Sequence, residues 1–108
     1  MASREYLGEF EQIVLLALLR LRKNAYGVPV RREIEYRTKR AVSVGALYST
    51  LDRLEAKGYV ASTFAEPTAE RGGRSKRFFR VEPLGLKAVK RSQQALATML
   101  EGLDLQKV

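Results

Sequence analysis

The chain has 108 residues, with 20 Lys and Arg against 12 Asp and Glu, which gives a formal net charge of +8. A chain of this length forms one small domain and cannot hold a catalytic domain beside a binding domain. It contains no Cys and no His, which excludes disulfides, thiolate zinc sites, cysteine nucleophiles and imidazole acid–base chemistry. No metal and no other cofactor is expected. The excess of positive charge favours a polyanionic partner such as nucleic acid, and less often an anionic membrane.

The sequence shows no membrane or targeting segment. Its longest apolar run is Ile13–Leu19, seven residues, whereas a membrane span needs about 20. Glu9 and Glu11 interrupt any signal-peptide core near the N-terminus. We therefore expect a cytoplasmic protein.

Apolar residues that recur at intervals of three and four indicate two helices before residue 40. The first is predicted over about residues 7–21. Its apolar face is broad, so the helix should be buried on most sides. The second is predicted over about residues 26–37, with Pro29 in the first turn, where a missing N–H is tolerated.

The third helix has the clearest end signals. Ser43 is a good N-cap because its hydroxyl can accept a hydrogen bond from a backbone N–H one turn on. Gly58 suits a left-handed C-terminal cap. We predict a helix over about residues 44–57, with a core face formed by Val44, Leu47, Leu51 and Leu54.

A β-hairpin and a last helix complete the chain. Residues 59–64 and 77–81 predict two strands, separated by a segment rich in turn residues. The last helix is predicted over about residues 84–105. The order of elements predicts a mainly α fold with a small β-hairpin. It consists of a winged helix-turn-helix DNA-binding domain over residues 1–82 and a C-terminal dimerisation helix over residues 83–108.

The positive charge is concentrated in two segments. Residues 31–40 carry a balance of +3 and residues 71–80 a balance of +5. A basic hairpin tip beside a capped helix suits duplex DNA, because phosphates accept hydrogen bonds from Arg, Lys and backbone N–H groups. For residues 31–40 the alternative is a solvated helix face, since acidic residues are interspersed.

The outward face of the third helix would lie in the major groove of the DNA. Small residues on this face let the backbone approach closely, and hydroxyl groups can donate or accept hydrogen bonds. Few of its side chains can make bidentate contacts to a base, so DNA shape should contribute to recognition. Tyr48 could instead lie at the edge of the core, and Arg53 could pair with Asp52 or Glu55 on the surface. The candidate DNA contacts are Ser43, Gly45, Ala46, Tyr48, Ser49, Thr50 and Arg53 from the helix, and Arg71, Arg74 and Lys76 from the hairpin.

Four short motifs stand out along the chain. They are Tyr26-Gly27, then Gly45-Ala46-Leu47-Tyr48, then Leu51-Asp52-Arg53-Leu54-Glu55 with Gly58 after it, and Gly73-Arg74-Ser75-Lys76-Arg77. Together they resemble the PadR (phenolic acid decarboxylase regulator-type) family of bacterial transcription factors, and the resemblance extends from the first helix to Gly85. Two positions depart from the family pattern. Glu82 stands where a Thr usually caps the last helix, and Ser49 stands where a Pro often follows the Tyr.

The resemblance implies a dimeric winged-helix repressor of the short branch, with a single C-terminal helix that forms the dimer contact. It also implies release from DNA when a small, often aromatic or hydrophobic, effector binds. Such an effector is expected between the subunits, near Leu96 and Met99.

The spacing of the last helix independently favours a homodimer. Six residues from Leu86 to Leu103 recur at heptad spacing, with Gln93 the one polar member. We expect this helix to pack on the first helix of the partner subunit. The alternative is that its apolar stripe packs on its own domain. The interface candidates are Phe10, Ile13, Leu16, Ala17, Leu86, Val89, Leu96, Met99, Leu100 and Leu103.

The sequence thus predicts a DNA-binding transcriptional regulator that recognises an inverted repeat. An enzyme is not expected, because no convincing pair of catalytic groups is found. The alternative from a different class is a basic winged helix that makes protein–protein or RNA contacts without a specific operator.

Overall fold

Four α-helices and a two-stranded antiparallel sheet make up the part of the chain that this computed structural model describes, residues 6–65 and 76–108. This is the predicted mainly α fold with a β-hairpin. A single 3₁₀ turn, Arg22–Asn24, separates the first two helices. The elements are α1 (Glu9–Leu21), α2 (Gly27–Thr38), α3 (Val44–Ala56), β1 (Val60–Phe64), β2 (Arg77–Val81) and α4 (Pro83–Leu100).

Helix α1 lies at the centre of the fold. Val14 and Leu15 are fully buried and Leu18 is nearly so, because α1 packs against α2, α3, α4 and β2. The prediction that this helix is buried on most sides is therefore confirmed. The part of its surface that stays exposed includes Leu16 and Leu19.

The hairpin is fastened to the start of α2. Strands β1 and β2 pair with Val60 opposite Val81 and with Ser62 opposite Phe79. On the other side of β2, the backbone N–H of Phe79 donates to the carbonyl of Ala25 at 2.8 Å, next to an isolated bridge between Tyr26 and Phe78. This third extended segment could not be predicted from the sequence, because it is too short for a strand pattern.

The two halves of α4 have different surroundings. In the first half, Ala88, Val89 and Ser92 are buried in the domain, and the Ser92 hydroxyl accepts a hydrogen bond from the N–H of Leu7 at 3.2 Å. In the second half, residues 93–100 are all exposed. The radius of gyration is 16.1 Å, whereas a compact domain of this length has about 13 Å. Helix α4 therefore projects out of the domain.

Helix α4 ends earlier than predicted. Its last helical residue is Leu100, because Glu101 adopts an extended conformation and Gly102 has a φ of +79°. Leu103 lies beyond the helix, so the predicted heptad series is helical only as far as Leu100. No helix in the described part of the chain has the length and apolar character that a membrane span requires.

A cluster of charged side chains joins α1 to α3. The Glu11 carboxylate, 11% exposed, accepts hydrogen bonds from Arg53 Nε at 3.2 Å and from Lys57 Nζ at 3.3 Å. Its other oxygen accepts from the Gly8 N–H at 2.9 Å at the start of α1. Burial alone would raise the pKa of Glu11, but the Gly8 hydrogen bond and the two cations outweigh burial and lower that pKa below its ordinary value of 4.5.

Because folding lowers the pKa of Glu11, its ionised form stabilises the fold. This contribution is complete above pH 4.5, the ordinary value, and is lost as the pH falls through the lower folded-state pKa. Glu11→Gln should reduce the free energy of unfolding at pH 7 by about 1.5–3 kcal/mol. Urea denaturation of wild type and variant from pH 7 down to acid checks this. The difference between the two should shrink below pH 4.5, and a difference independent of pH would contradict the assignment.

Candidate nucleic-acid interface

The N-terminal half of α3 presents a surface of small residues. The Ser43 hydroxyl caps the helix by accepting from the Ala46 N–H at 3.0 Å, as predicted. Ser43, Gly45, Ala46 and Ser49 are all exposed. Nothing lies within 4 Å of the position that a Cβ atom on Gly45 would occupy. A nucleic-acid backbone or groove can therefore approach this face of the helix closely.

Two residues of α3 lie on the opposite side from the one predicted. Val44, expected in the core, is 53% exposed, whereas Thr50, expected to contact DNA, is 4% exposed. The buried stripe consists of Leu47 and the residues three, four and seven positions after it, namely Thr50, Leu51 and Leu54. Val44 lies in the first turn of α3, where it borders an open cleft and not the core. Its side chain thus joins the outward surface, and that of Thr50 leaves it.

Tyr48 links the core to this surface. Its ring packs at a tilt against Phe79, with 6.3 Å between the ring centroids, and the residue is half-buried. Its hydroxyl lies so close to the first turn of α2 that a Cβ on Gly27 would come within 2.2 Å of it. A side chain at position 27 would therefore require the Tyr48 ring to move, which accounts for the glycine of the Tyr26-Gly27 pair seen in the sequence.

A cleft between the N-terminal turns of α2 and α3 holds two cations that the sequence analysis did not select. The cleft has a volume of about 240 Å³, and Arg31, Arg32 and Val44 are among its lining residues. Neither arginine forms an ion pair with an acidic residue of the described segments. The positive balance of residues 31–40 was the only signal for them in the sequence.

The other arginines of this segment are paired. Arg37 forms an ion pair with Glu33 one turn earlier in α2, and Arg40 binds Glu9 of α1 at 3.0 Å. The solvated-face interpretation thus fits Arg37 and Arg40. Among the described residues, Arg31 and Arg32 are the cations of α2 that have no carboxylate partner, so their charge can meet a phosphate.

Arg53 and the basic residues of the hairpin have different surroundings. Arg53 is bound to Glu11 but keeps half of its side chain exposed. Lys76 lies immediately before β2, with its Nζ 3.9 Å from the centre of the Tyr26 ring, a cation–π contact. Arg71 and Arg74 fall outside the described residues.

The acidic residues in the second half of α3 are compensated by the hairpin. Arg77 contacts both Asp52 and Glu55. The hydrogen bond from Ser62 lowers the pKa of Glu55, against a smaller opposing effect of burial, and Arg77 lowers it further. Glu55 is therefore ionised at neutral pH, and its charge is offset locally.

The predicted interface residues separate into buried and exposed groups. Ala17 and Val89, 4% and 5% exposed, are buried in the chain's own core. They therefore cannot contribute a free surface, and this part of the prediction is wrong. Phe10 and Ile13 are half-buried. The remaining candidates are exposed, namely Leu16, Leu86, Leu96, Met99, Leu100 and Leu103.

Comparison with known proteins identifies the family. The model of the transcriptional regulator PadR-like family matches residues 15–91, whereas none of the curated proteins matches the sequence. A PadR-like transcription factor from Bacteroides fragilis aligns with a TM-score of 0.74 at 18% identity, over 85% of this chain and 84% of that one.

Two further solved structures are similar. A transcriptional regulator from Clostridium thermocellum aligns with a TM-score of 0.69 at 24% identity, over 84% of this chain and 85% of that one. The complex structure of hsRosR-S1 aligns with a TM-score of 0.68 at 25% identity, over 88% and 78% of the two chains. With a family match over most of its length, a winged-helix fold and an exposed α3 beside two arginines, the chain belongs to the PadR-like family and is a DNA-binding transcriptional regulator.

Proposed function

We propose that the protein is a dimeric repressor that binds an inverted-repeat operator. The observation that carries the proposal is the exposed, small-residue face of α3 next to Arg31 and Arg32, which have no acidic partner among the described residues. In a helix-turn-helix, the first helix of the motif, here α2, crosses the DNA backbone, while the second, here α3, enters the major groove with its N-terminal residues at the bases. The cleft between α2 and α3 is therefore the expected DNA-facing side.

The proposed DNA contacts divide by chemistry. Ser43, Gly45, Ala46 and Ser49 approach the base edges, because they are small and exposed. Arg31, Arg32 and Lys76, with Arg71 and Arg74 of the hairpin, bind phosphates and position the domain. Tyr48 offers its hydroxyl to the backbone, and Arg53 keeps this role only through the exposed half of its side chain. Thr50 is left out because it is buried.

The second half of α4 is proposed to form the dimer. Leu96 is 52% exposed, Met99 75% and Leu100 48%, so a lone chain leaves an apolar stripe in water. A groove of about 140 Å³ between α1 and α2 is lined by Ile13, Leu16 and Ile34, among others. The stripe of one subunit covers α1 and this groove of the other. Residues 1–82 then act as the DNA-binding unit and residues 83–108 as the dimerisation element, although α4 also completes the core.

A small hydrophobic effector, if it binds near Leu96 and Met99, would act between the subunits. An apolar ligand at that position changes how α4 packs on the partner, and α4 is continuous with the core that carries α3. The ligand would then shift the distance between the two recognition helices, which is how binding there would release DNA. The proposed setting for this regulation is the cytoplasm.

The first prediction of this function is sequence-specific binding to a dyad. Duplexes selected by the protein from a random pool should contain an inverted repeat, with half-site centres about one helical turn, ~10 bp, apart. Affinity should fall steeply as salt rises, because phosphate contacts release counterions. Selected sequences without a dyad, or tighter binding to RNA than to any duplex, would favour a basic module without an operator.

The second prediction separates free from paired arginines on α2. Arg31→Ala and Arg32→Ala should each weaken binding to operator and random DNA alike and reduce the slope of log affinity against log salt by about 1. Arg37→Ala is the matched control, since it removes the same charge from the same helix. Salt titrations by fluorescence anisotropy measure both effects. An Arg37→Ala slope that falls as far as the other two would refute the assignment of the cleft.

The third prediction concerns the dimer. Leu96→Glu with Leu100→Glu should convert the dimer to a monomer, because two charges cannot be buried in an apolar contact. Gln94→Glu with Thr98→Glu adds the same charge to the opposite face of α4 and should leave the dimer intact. Sedimentation at micromolar concentration distinguishes these outcomes. A monomeric wild type, or a folded dimer of the first double variant, would show that α4 is not the dimer contact.

A further inference from the structure

Arg77 stands at the junction of three structural elements. It lies on β2, and its Nε donates to the Ser62 hydroxyl of β1 at 3.1 Å. Its Nη1 donates to Asp52 Oδ1 of α3 at 3.1 Å, and its Nη2 donates to Glu55 Oε1. Its guanidinium also lies 4.7 Å from the centre of the Phe79 ring. One side chain thus connects both strands of the hairpin to α3.

The acceptors of Arg77 are themselves held together. Glu55 Oε2 accepts from the Ser62 hydroxyl at 2.8 Å and from the Ser62 N–H at 3.2 Å. The planar guanidinium makes several directed hydrogen bonds at fixed angles, which a flexible ammonium cannot reproduce. The group therefore fixes both the distance and the angle between the hairpin and α3.

Arg77 is poorly suited to bind phosphate directly. Its side chain is only 24% exposed, and two carboxylates offset its charge. Arg80 differs in each respect. It lies on the opposite face of the same strand, its side chain is 60% exposed, and its contact with Glu82 is longer, at 3.6 Å.

We propose that Arg77 is a positioning residue that sets the hairpin at a fixed distance and angle from α3, so that both elements engage one operator half-site at once. This rests on the proposed function, because it assigns the source of operator discrimination at the same surface. A hairpin released from α3 still attracts phosphates but no longer meets them in register with the bases that α3 reads. Arg77 therefore contributes to specificity without touching the DNA.

The test compares Arg77→Gln with Arg80→Gln, which make the same change on opposite faces of β2. The probes are an operator selected by the wild type and a random duplex of equal length. Arg77→Gln should weaken operator binding by about tenfold, leave random binding nearly unchanged and keep the wild-type salt slope. Arg80→Gln should not show this selective loss. Equal losses on both duplexes with a reduced slope for Arg77→Gln would mean that Arg77 is a phosphate contact, and the proposal would be wrong.

Two further variants test whether charge alone explains the result. Arg77→Lys keeps the charge but loses the planar fork, so it should behave like Arg77→Gln. Glu55→Gln removes a negative charge close to the DNA, and electrostatics alone would then tighten binding to both duplexes. If Arg77 acts by positioning the hairpin, Glu55→Gln should instead weaken operator binding, because it weakens the contact between Arg77 and α3. Tighter binding of Glu55→Gln to the operator would overturn the proposal.

Hydrogen exchange supplies a readout that does not need DNA. In Arg77→Gln the amides of residues 60–64 should exchange faster, while those of α1 keep their wild-type rates. A wild type that discriminates no operator would refute the proposed function, and the exchange result would still decide whether Arg77 fixes the hairpin. Unchanged exchange in residues 60–64 would refute the positioning role by itself.

Discussion

The structure depends on the burial of one helix, α1, from nearly all sides. Val14 and Leu15 have no exposed surface, and α2, α3, β2 and the first half of α4 all pack on this helix. Burial of such side chains is the main favourable term in folding a small domain. Because each element that is proposed to face DNA packs against the same helix, the relative positions of α2, α3 and the hairpin are set by one core. That core leaves the N-terminal face of α3 uncovered.

Charge is divided between structural and available groups. Arg53 and Lys57 hold the buried Glu11, Arg40 holds Glu9, and Arg77 holds the two acids of α3. Each of these ion pairs joins two segments that are distant in the sequence. Arg31 and Arg32 have no acidic partner within residues 6–65 and 76–108 and lie beside the open face of α3. The net charge therefore overstates the number of positive charges available to bind DNA, because several cations already have carboxylate partners. The positions of the remaining cations are more informative than the total.

Most of the fold and part of the candidate interface could be predicted from the sequence, and each wrong prediction has a physical cause. The ends of α3 followed from Ser43 and Gly58, because caps are local signals. The burial of Thr50 and the exposure of Val44 could not be predicted, because the phase of a short amphipathic helix depends on its neighbours. The Ala25–Phe79 hydrogen bond and the contact of Tyr48 with Gly27 join residues distant in sequence. The spacing of apolar residues along the chain does not indicate such contacts. The apolar spacing of α4 correctly indicated a helix, but it did not distinguish Val89, buried in its own domain, from Leu96, exposed to solvent.

The continuity of α4 determines what a dimer through its second half can do. Gly85 lies so close to the backbone of Tyr59 that a Cβ atom on it would come within 2.2 Å of the Tyr59 carbonyl oxygen. The start of α4 therefore packs directly against the connection between α3 and β1. The same helix then runs without a break to Leu100. Sharp kinks in helices occur at Pro, at Gly/Ser pairs or at π-bulges, and α4 has no Pro after Pro83 at its start. In the proposed dimer, a change in how the two α4 helices pack on each other would therefore change the relative position of the two α3 helices. Under this proposal the geometry of α4 sets the spacing between half-sites, and the exposed turns of α3 contact the bases.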